Sequence, residues 1–396
     1  MKKTIATSLL AAVAMAANAA PLVTIGDQLD IFFRGAVMGS YNSNVTYASK
    51  SEHKIDDYAG TLRLGAEADY GRNSKFKANI KFNEDFTKYV DHKSLDRNTA
   101  HLAANASYTE SNWNASTYFK YDQYAQNSSD INLERNDGKL VDYNYWAAGA
   151  KGQYDFTEKV FASIGFDWAE LEYTHGNEVL YTSYSMYSVP LSVYYRATQK
   201  ISIGLTYMFR YMDMFDGRLD NLRNFGDDRV DNFVGVTVLG EIAPKLNCEL
   251  YFGATNRSYE ASQLYGGYQD EWTMSGRITL NYEVSDKLGV YVKAARDFGG
   301  SANASSTTYT FGEAGVNYFF NAKIIGTASM QYRDTSYDLQ NRTDETIWTR
   351  VGVSYNPNKF IKLALNYNYI NNSSDNKTYD ANYNQHMVSL EASLRY

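Results

Sequence analysis

Apolar and polar residues alternate with a period of two along most of this chain, in runs bounded by short polar segments. The clearest run is residues 62–70, with Leu62, Leu64, Ala66, Ala68 and Tyr70 on one face and Arg63, Glu67 and Asp69 on the other. After a turn at Gly71–Ser74 the pattern repeats, with Phe76, Ala78, Ile80 and Phe82 against Lys77, Asn79, Lys81 and Asn83. Likewise Ile201, Ile203, Leu205, Tyr207 and Phe209 oppose Ser202, Gly204, Thr206, Met208 and Arg210. Scored this way, the chain resolves into about eighteen candidate strands. Pro190, inside the run 187–195, cannot donate to a ladder and predicts a local bulge or a later strand start. With a break in aromatic regularity at Ile242, it leaves sixteen strands as the alternative count.

Two kinds of connection alternate. Short turns fall at 71–74, 110–112, 155–159, 197–200, 243–245, 285–287, 321–323 and 356–359. Longer polar segments fall near 42–57, 90–98, 125–139, 173–180, 213–229, 260–270, 299–307, 338–344 and 370–383. A tyrosine stands just before most short turns: Tyr70, Tyr108, Tyr154, Tyr195, Tyr282, Tyr318 and Tyr355, with Tyr396 ending the chain. A ring with a polar tip is favoured where hydrocarbon meets water, so this ladder is read as a membrane-interface aromatic belt. Trp168 and Trp272, on the same parity near strand ends, fit the same role.

These features predict an all-β fold: a transmembrane antiparallel up-and-down β-barrel. Hydrocarbon offers no partner to an unpaired backbone N–H or C=O, so spanning strands must close on themselves. A charge facing lipid costs ~2–4 kcal/mol at the midplane, and the apolar faces above hold none. A soluble sandwich alternates in the same way. The two-sided asymmetry of turns and loops, together with the tyrosine ladder, decides against it.

The first nineteen residues form an export signal by pattern. Lys2 and Lys3 supply the basic end, Ile5 to Ala17 the apolar run, and Ala17-Asn18-Ala19 the cleavage site. The expected organisation is therefore a signal peptide over 1–19 and one barrel domain over 20–396. An even strand count then returns both termini to the periplasmic side of a cell outer membrane. The formal net charge of −7 becomes −9 without the two lysines, and no basic tract suggests nucleic acid. Cys248 is the only cysteine; no intrachain disulfide forms, and its place between Leu246 and Leu250 suits an apolar filler.

The polar face is the surface on which chemistry is expected. Its pore-lining candidates are Arg34, Arg63, Glu67, Lys77, Lys81, Lys120, Lys151, Arg210, Arg277, Lys293, Glu313, Arg333, Arg350 and Lys362. Arg196, Arg257 and Arg395 share the parity, as do Asp69, Asp85, Asp122, Asp167, Glu241, Glu249, Glu283, Asp297 and Glu391. Fifteen bases against eleven acids predict a mixed-charge lining with a small basic excess and weak anion preference or none. Tyr118, Tyr145, Phe161, Tyr251, Tyr291, Phe311 and Trp348 add aromatic surface to that face, either as cross-strand packing or as a stacking track.

An acidic loop is read at Asp213, Asp216, Asp220, Asp227, Asp228 and Asp231, interspersed with Arg218, Arg223 and Arg229, as solvated charge. Five histidines, His53, His92, His101, His175 and His386, show no metal spacing and no nucleophile or carboxylate partner at a recognised interval. No enzymatic activity, catalytic residue, metal or cofactor is expected.

The hairpin Val234–Gly253, followed by Asn256-Arg257-Ser258-Tyr259, and the unit Tyr195–Gly204 are similar to hairpins of the β-barrel porin families of Gram-negative bacteria. The last strand, Leu390-Glu391-Ala392-Ser393-Leu394-Arg395-Tyr396, resembles the signal read by the outer-membrane barrel insertion machinery. The resemblance implies a porin-like channel for passive diffusion of small hydrophilic solutes. The alternative is a non-conducting barrel serving as a surface adhesin or receptor through its long loops. Implied partners are outer-membrane lipid, lipopolysaccharide, the insertion machinery and small solutes, with homo-oligomers compatible and no nucleic acid.

Overall fold

The computed structural model describes residues 20–49, 53–127, 139–214, 228–259, 270–302, 306–338, 341–376 and 381–396. The expected signal peptide at 1–19 lies outside them. Nineteen strands account for most of the described chain. They are β1 Val23–Ile25, β2 Leu29–Asn42, β3 Asp57–Tyr70, β4 Phe76–Tyr89, β5 Arg97–Thr109 and β6 Trp113–Ala125. There follow β7 Asp142–Asp155, β8 Val160–Tyr173, β9 Tyr184–Arg196, β10 Ile201–Met214, β11 Arg229–Ala243 and β12 Leu246–Tyr259. The last are β13 Glu271–Ser285, β14 Leu288–Gly300, β15 Ser306–Phe319, β16 Ile324–Tyr337, β17 Arg342–Tyr355, β18 Ile361–Ser374 and β19 Tyr383–Arg395.

Each strand from β2 to β19 pairs antiparallel with its neighbours in sequence, and β19 closes on β2 from Arg395↔Arg34 to Met387↔Asn42. Tyr396 completes the seam: its N–H donates to Phe33 O at 3.0 Å, and Phe33 N–H donates to Tyr396 O at 2.6 Å. The result is a closed eighteen-strand barrel, the larger of the two expected counts. The short β1 was not anticipated. It pairs with Leu29–Ile31 of β2, below the point where β19 has ended, and so covers three residues of otherwise open edge.

Pro190 forms no bulge. β9 runs through it, and the β9–β10 register is unbroken from Ser202↔Arg196 to Met214↔Tyr184. The missing N–H faces β8, where pairing lapses only between Ile164↔Leu191 and Asp167↔Ser188 with no change of register. Gly165 lies opposite, and a Cβ there would stand 3.0 Å from Pro190 Cγ, so the glycine admits the ring. At Ile242 the gap in the tyrosine ladder coincides with a true bulge between Glu241 and Ala243.

The outer face carries the apolar parity: Leu205 is 68% and Leu390 62% exposed, values that a sandwich core would not allow. Counted from the short turns, this face stays free of charge until the ninth residue in β4 (Glu84) and β14 (Arg296). In β8 (Glu170) and β16 (Asp334) it stays so until the eleventh. At ~3.3 Å per residue and a tilt of about 40°, nine or ten residues climb roughly 23–25 Å, the height of a bilayer's apolar band. Outward charges thus begin where the strands leave hydrocarbon. No helix among the described residues is long and apolar enough to cross a membrane.

Candidate functional site: the barrel lumen

Cross-strand contacts fix which face is inside. Arg395 of β19 reaches Glu67 of β3 over β2, and Arg210 of β10 reaches Asp297 of β14 over three strands. Only the concave side allows such spans. Strand register places all fourteen lining candidates on that face, along with the seven aromatic residues named for it. It also adds Arg97, Arg229 and Arg342, and Asp30, Asp57, Asp155, Asp231, Glu271 and Asp344. Three more bases and six more acids bring fifteen against eleven to eighteen against seventeen, so the expected basic excess nearly vanishes.

Near the short turns the lumen wall is tied by one carboxylate. Glu67, 4% exposed, accepts from Arg34 Nη1 at 2.5 Å and from Arg395 Nη2 at 3.1 Å, with Lys81 Nζ at 3.6 Å. Arg395 also meets Asp69 at 2.9 Å and lies over the Phe32 ring, 3.5 Å from its centroid. A little higher, Arg63 grips Asp85 with two bonds of 2.7 and 2.6 Å. On β5 and β6, Asp122 accepts from Lys120 at 2.5 Å and contacts His101 Nδ1 at 2.7 Å.

Towards the long loops, a second network fills one side of the lumen. Arg257 donates to Asp231 through Nε at 2.6 Å and Nη2 at 2.8 Å. Arg210 bridges Asp231 at 3.1 Å and Asp297 at 2.9 Å. The Arg257 Nη1 group donates further to Gly299 O at 2.9 Å and Ser306 Oγ at 3.0 Å, and its guanidinium stacks on Phe298. Arg229 and Arg257 are fully buried. Asp231 and Arg229, which the sequence pattern places in the acidic loop, are strand residues of β11 turned inward. Asp228 instead ties the loop ends, accepting from Met214 N–H at 2.9 Å and Tyr211 Oη at 2.7 Å. Residues 216, 218, 220, 223 and 227 lie outside the described residues.

On β14, β16 and β17, three bases meet aromatic rings instead of acids. Lys293, Arg333 and Arg350 lie against the rings of Tyr291, Tyr309 and Trp348 at 5.0, 4.8 and 5.2 Å. Among the described residues no carboxylate forms a salt bridge with any of the three. Beside Arg350 the wall forms a recess of about 330 Å³ lined by Tyr291, Asn317, Thr327, Ser329, Asn366, Asn368 and Ser389. Tyr291 lies flat across β15 because Gly315 has no Cβ to hold it off, and its hydroxyl donates to Glu313 at 2.7 Å.

The mouth on the long-loop side is narrowed by the loops. Asn127 donates to Thr46 O at 2.8 Å, Gln385 to Asn44 O at 2.8 Å, and Tyr47 stacks on Tyr383 at 4.9 Å. Tyr383, Gln385 and Tyr89 belong to the inner face, so the segment 43–48 sits inside the barrel end; burial pushes the Tyr47 phenol up. Farther round, Thr182 N–H donates to Ala302 O at 2.9 Å, above a buried cluster of Val141, Tyr173 and Tyr181.

The eight ladder tyrosines gather at the short-turn rim. All but Tyr108 are exposed, and several meet a second ring from the next turn, as in Tyr70–Phe76 at 5.9 Å and Tyr318–Phe320 at 4.8 Å. Tyr108 packs on Trp113 at 5.1 Å and donates to Glu110. Cys248 is buried on the outer parity. Three histidines do meet carboxylates, which sequence spacing had not revealed: His92 with Asp57, His101 with Asp122, and His175 with Asp142. Among the described residues no group of three or more acids, histidines or cysteines is placed to hold a metal ion.

A family model described as "Putative beta-barrel porin 2" matches residues 34–396. No curated protein matches the sequence. Among solved structures, OccAB3 from Acinetobacter baumannii is 12% identical over 93% of this chain and 100% of that one, with a TM-score of 0.48. A BenF-like porin from Pseudomonas fluorescens Pf-5 is 12% identical over 93% of this chain and 99% of that one, also at 0.48. The FrpB iron transporter from Neisseria meningitidis is 8% identical over 94% of this chain and 82% of that one, at 0.46.

Proposed function

The chain belongs to the Putative beta-barrel porin 2 family, a porin-like channel of the outer membrane, and we propose that it passes small hydrophilic solutes passively through a mixed-charge lumen. One observation carries this reading. The closed ladder turns an apolar band outward and, among the described residues, thirty-five Lys, Arg, Asp and Glu side chains, eighteen basic and seventeen acidic, inward. A barrel of this strand number leaves an aqueous interior rather than a packed core. Near-balance of the two signs argues for little overall ion preference.

In this reading the fourteen candidate residues line the solute path and the tyrosine belt marks the periplasmic interface. Both termini are then periplasmic, the long loops face lipopolysaccharide, and residues 1–19 act as the export signal. The final strand, whose outward residues Val388, Leu390, Ala392 and Leu394 end at Tyr396, serves as the segment read during insertion.

The test is liposome swelling. Vesicles carrying the refolded protein should swell in isotonic arabinose or glucose, and protein-free vesicles should not. The segment 43–48 packed in the mouth favours the second reading, a non-conducting surface barrel acting as adhesin or receptor. Swelling no faster than in protein-free vesicles would select it.

A further inference from the structure

The recess beside Arg350 has a composition unlike the rest of the wall. Two register rows build it: Tyr291, Gly315, Ser329, Arg350 and Asn368 in one, and Asn317, Thr327, Gly352, Asn366 and Ser389 in the next. A glycine in each row gives it depth. At Gly352 an added Cβ would stand 2.8 Å from Asn366 Oδ1 and 3.0 Å from Thr327 Oγ1, so the floor is open only because the side chain is absent. The 330 Å³ of space falls within the range of small-ligand sites.

Its chemistry is specific. Arg350 is exposed, and its guanidinium is held by the Trp348 ring rather than by an acid. The carboxylate of Glu313 accepts from Tyr291 and sits opposite Lys293 in register, so the local balance is two cations to one anion. A planar fork on a rigid ring is preorganised for bidentate capture of a carboxylate. Around it stand amides and hydroxyls, groups that both donate and accept. A ligand without hydroxyls would strip water from them and leave them unpaired. The flat face of Tyr291 offers surface for the C–H face of a sugar ring.

We propose that this recess is a solute subsite for a hydroxylated monocarboxylate, an acid sugar, with Arg350 on the carboxylate and Ser329, Asn366, Asn368 and Ser389 on the hydroxyls. The proposal rests on the reading that the lumen conducts. It is local: the near-neutral lumen as a whole has no strong preference for anions, whereas this one stretch of wall does.

Single-channel recording in KCl tests it, with D-glucuronate, D-glucose and benzoate added in turn at equal concentration. Glucuronate should produce resolvable current interruptions. Arg350→Gln should shorten them by about tenfold or more, and Arg350→Lys, which keeps the charge without the fork, should lie between. Glucose and benzoate should each interrupt the current far less. The proposal is overturned if Arg350→Gln leaves the glucuronate dwell time unchanged while the variant conducts KCl normally. It is equally overturned if benzoate or glucose matches glucuronate. A parent protein with no KCl current removes the channel reading and this subsite together, whereas a conducting protein indifferent to glucuronate removes the subsite alone.

Discussion

Replacing Asp231 by asparagine removes the charge at the centre of the buried network on β10–β14 and nothing else of comparable size. Asp231 is 3% exposed and accepts three bonds, two from Arg257 and one from Arg210. After the change Arg210 keeps Asp297, while Arg257 keeps Gly299 O, Ser306 Oγ and the Phe298 ring but exchanges its bidentate carboxylate for a single neutral amide oxygen. Two guanidinium groups then share one carboxylate. Breaking a buried pair from one side costs about 3–5 kcal/mol. Asp297 remains to neutralise part of the excess, which places Asp231→Asn near the lower end, roughly 3 kcal/mol. The pairing of Asp231→Asn with Arg257→Met restores the balance and should recover about half of that loss. Guanidinium unfolding in detergent micelles, followed by tryptophan fluorescence, measures both. A single-variant loss under about 0.5 kcal/mol, the range of an ordinary surface change, would refute the argument.

Charge placement on one strand separates the two faces. Leu205→Arg, the fifth residue from its short turn and facing out, should destabilise the barrel by ~2–4 kcal/mol in lipid vesicles. Met208→Arg, facing in on the same strand, should stay within about 1 kcal/mol; equal losses would contradict the assignment of faces. The turn at 110–112 carries a pH dependence. Lys75 Nζ, 2.7 Å away, and the Tyr108 hydroxyl hold the Glu110 carboxyl below the usual carboxylate range. A folded value below the unfolded one means that this stabilisation is present above the unfolded value and is lost as pH falls through the folded one. Amide protection in the turn should therefore fall as pH drops below about 4, and Lys75→Met should weaken that dependence while the Tyr108 hydroxyl retains part of it; a profile unchanged in the variant would count against the pair.

Much of the barrel is legible in the sequence because a lipid-facing strand has to alternate. The period of two identified the hairpins. The short turns and the tyrosines before them identified a common rim. Side-chain facing followed directly from parity, and register puts Lys77, Arg277 and Lys362 on the side that alternation predicts. Other features depend on quantities that one strand does not carry. The contact of Arg210 with Asp297 requires knowing how far each strand is staggered against the next over four successive pairings. Asp231 and Arg229 looked like loop residues because polar strand ends and polar loops have the same composition. Pro190 suggested a bulge because its ring removes a donor, but the sequence does not show that Gly165 would be its neighbour. The recess at Arg350 is built from six strands, β14 to β19, each contributing one or two ordinary polar residues, and no segment of the chain announces it.

Paired single-cysteine variants on β16 test the central claim most directly. In a Cys248→Ser background, Gln331→Cys faces the lumen and Met330→Cys, one residue away, faces out. A charged, water-soluble thiol reagent should reduce the bilayer current of the first within its reaction time and leave the second unaltered. Equal reaction at both positions, or none at either while current flows, would contradict a sealed wall with water on one side and hydrocarbon on the other.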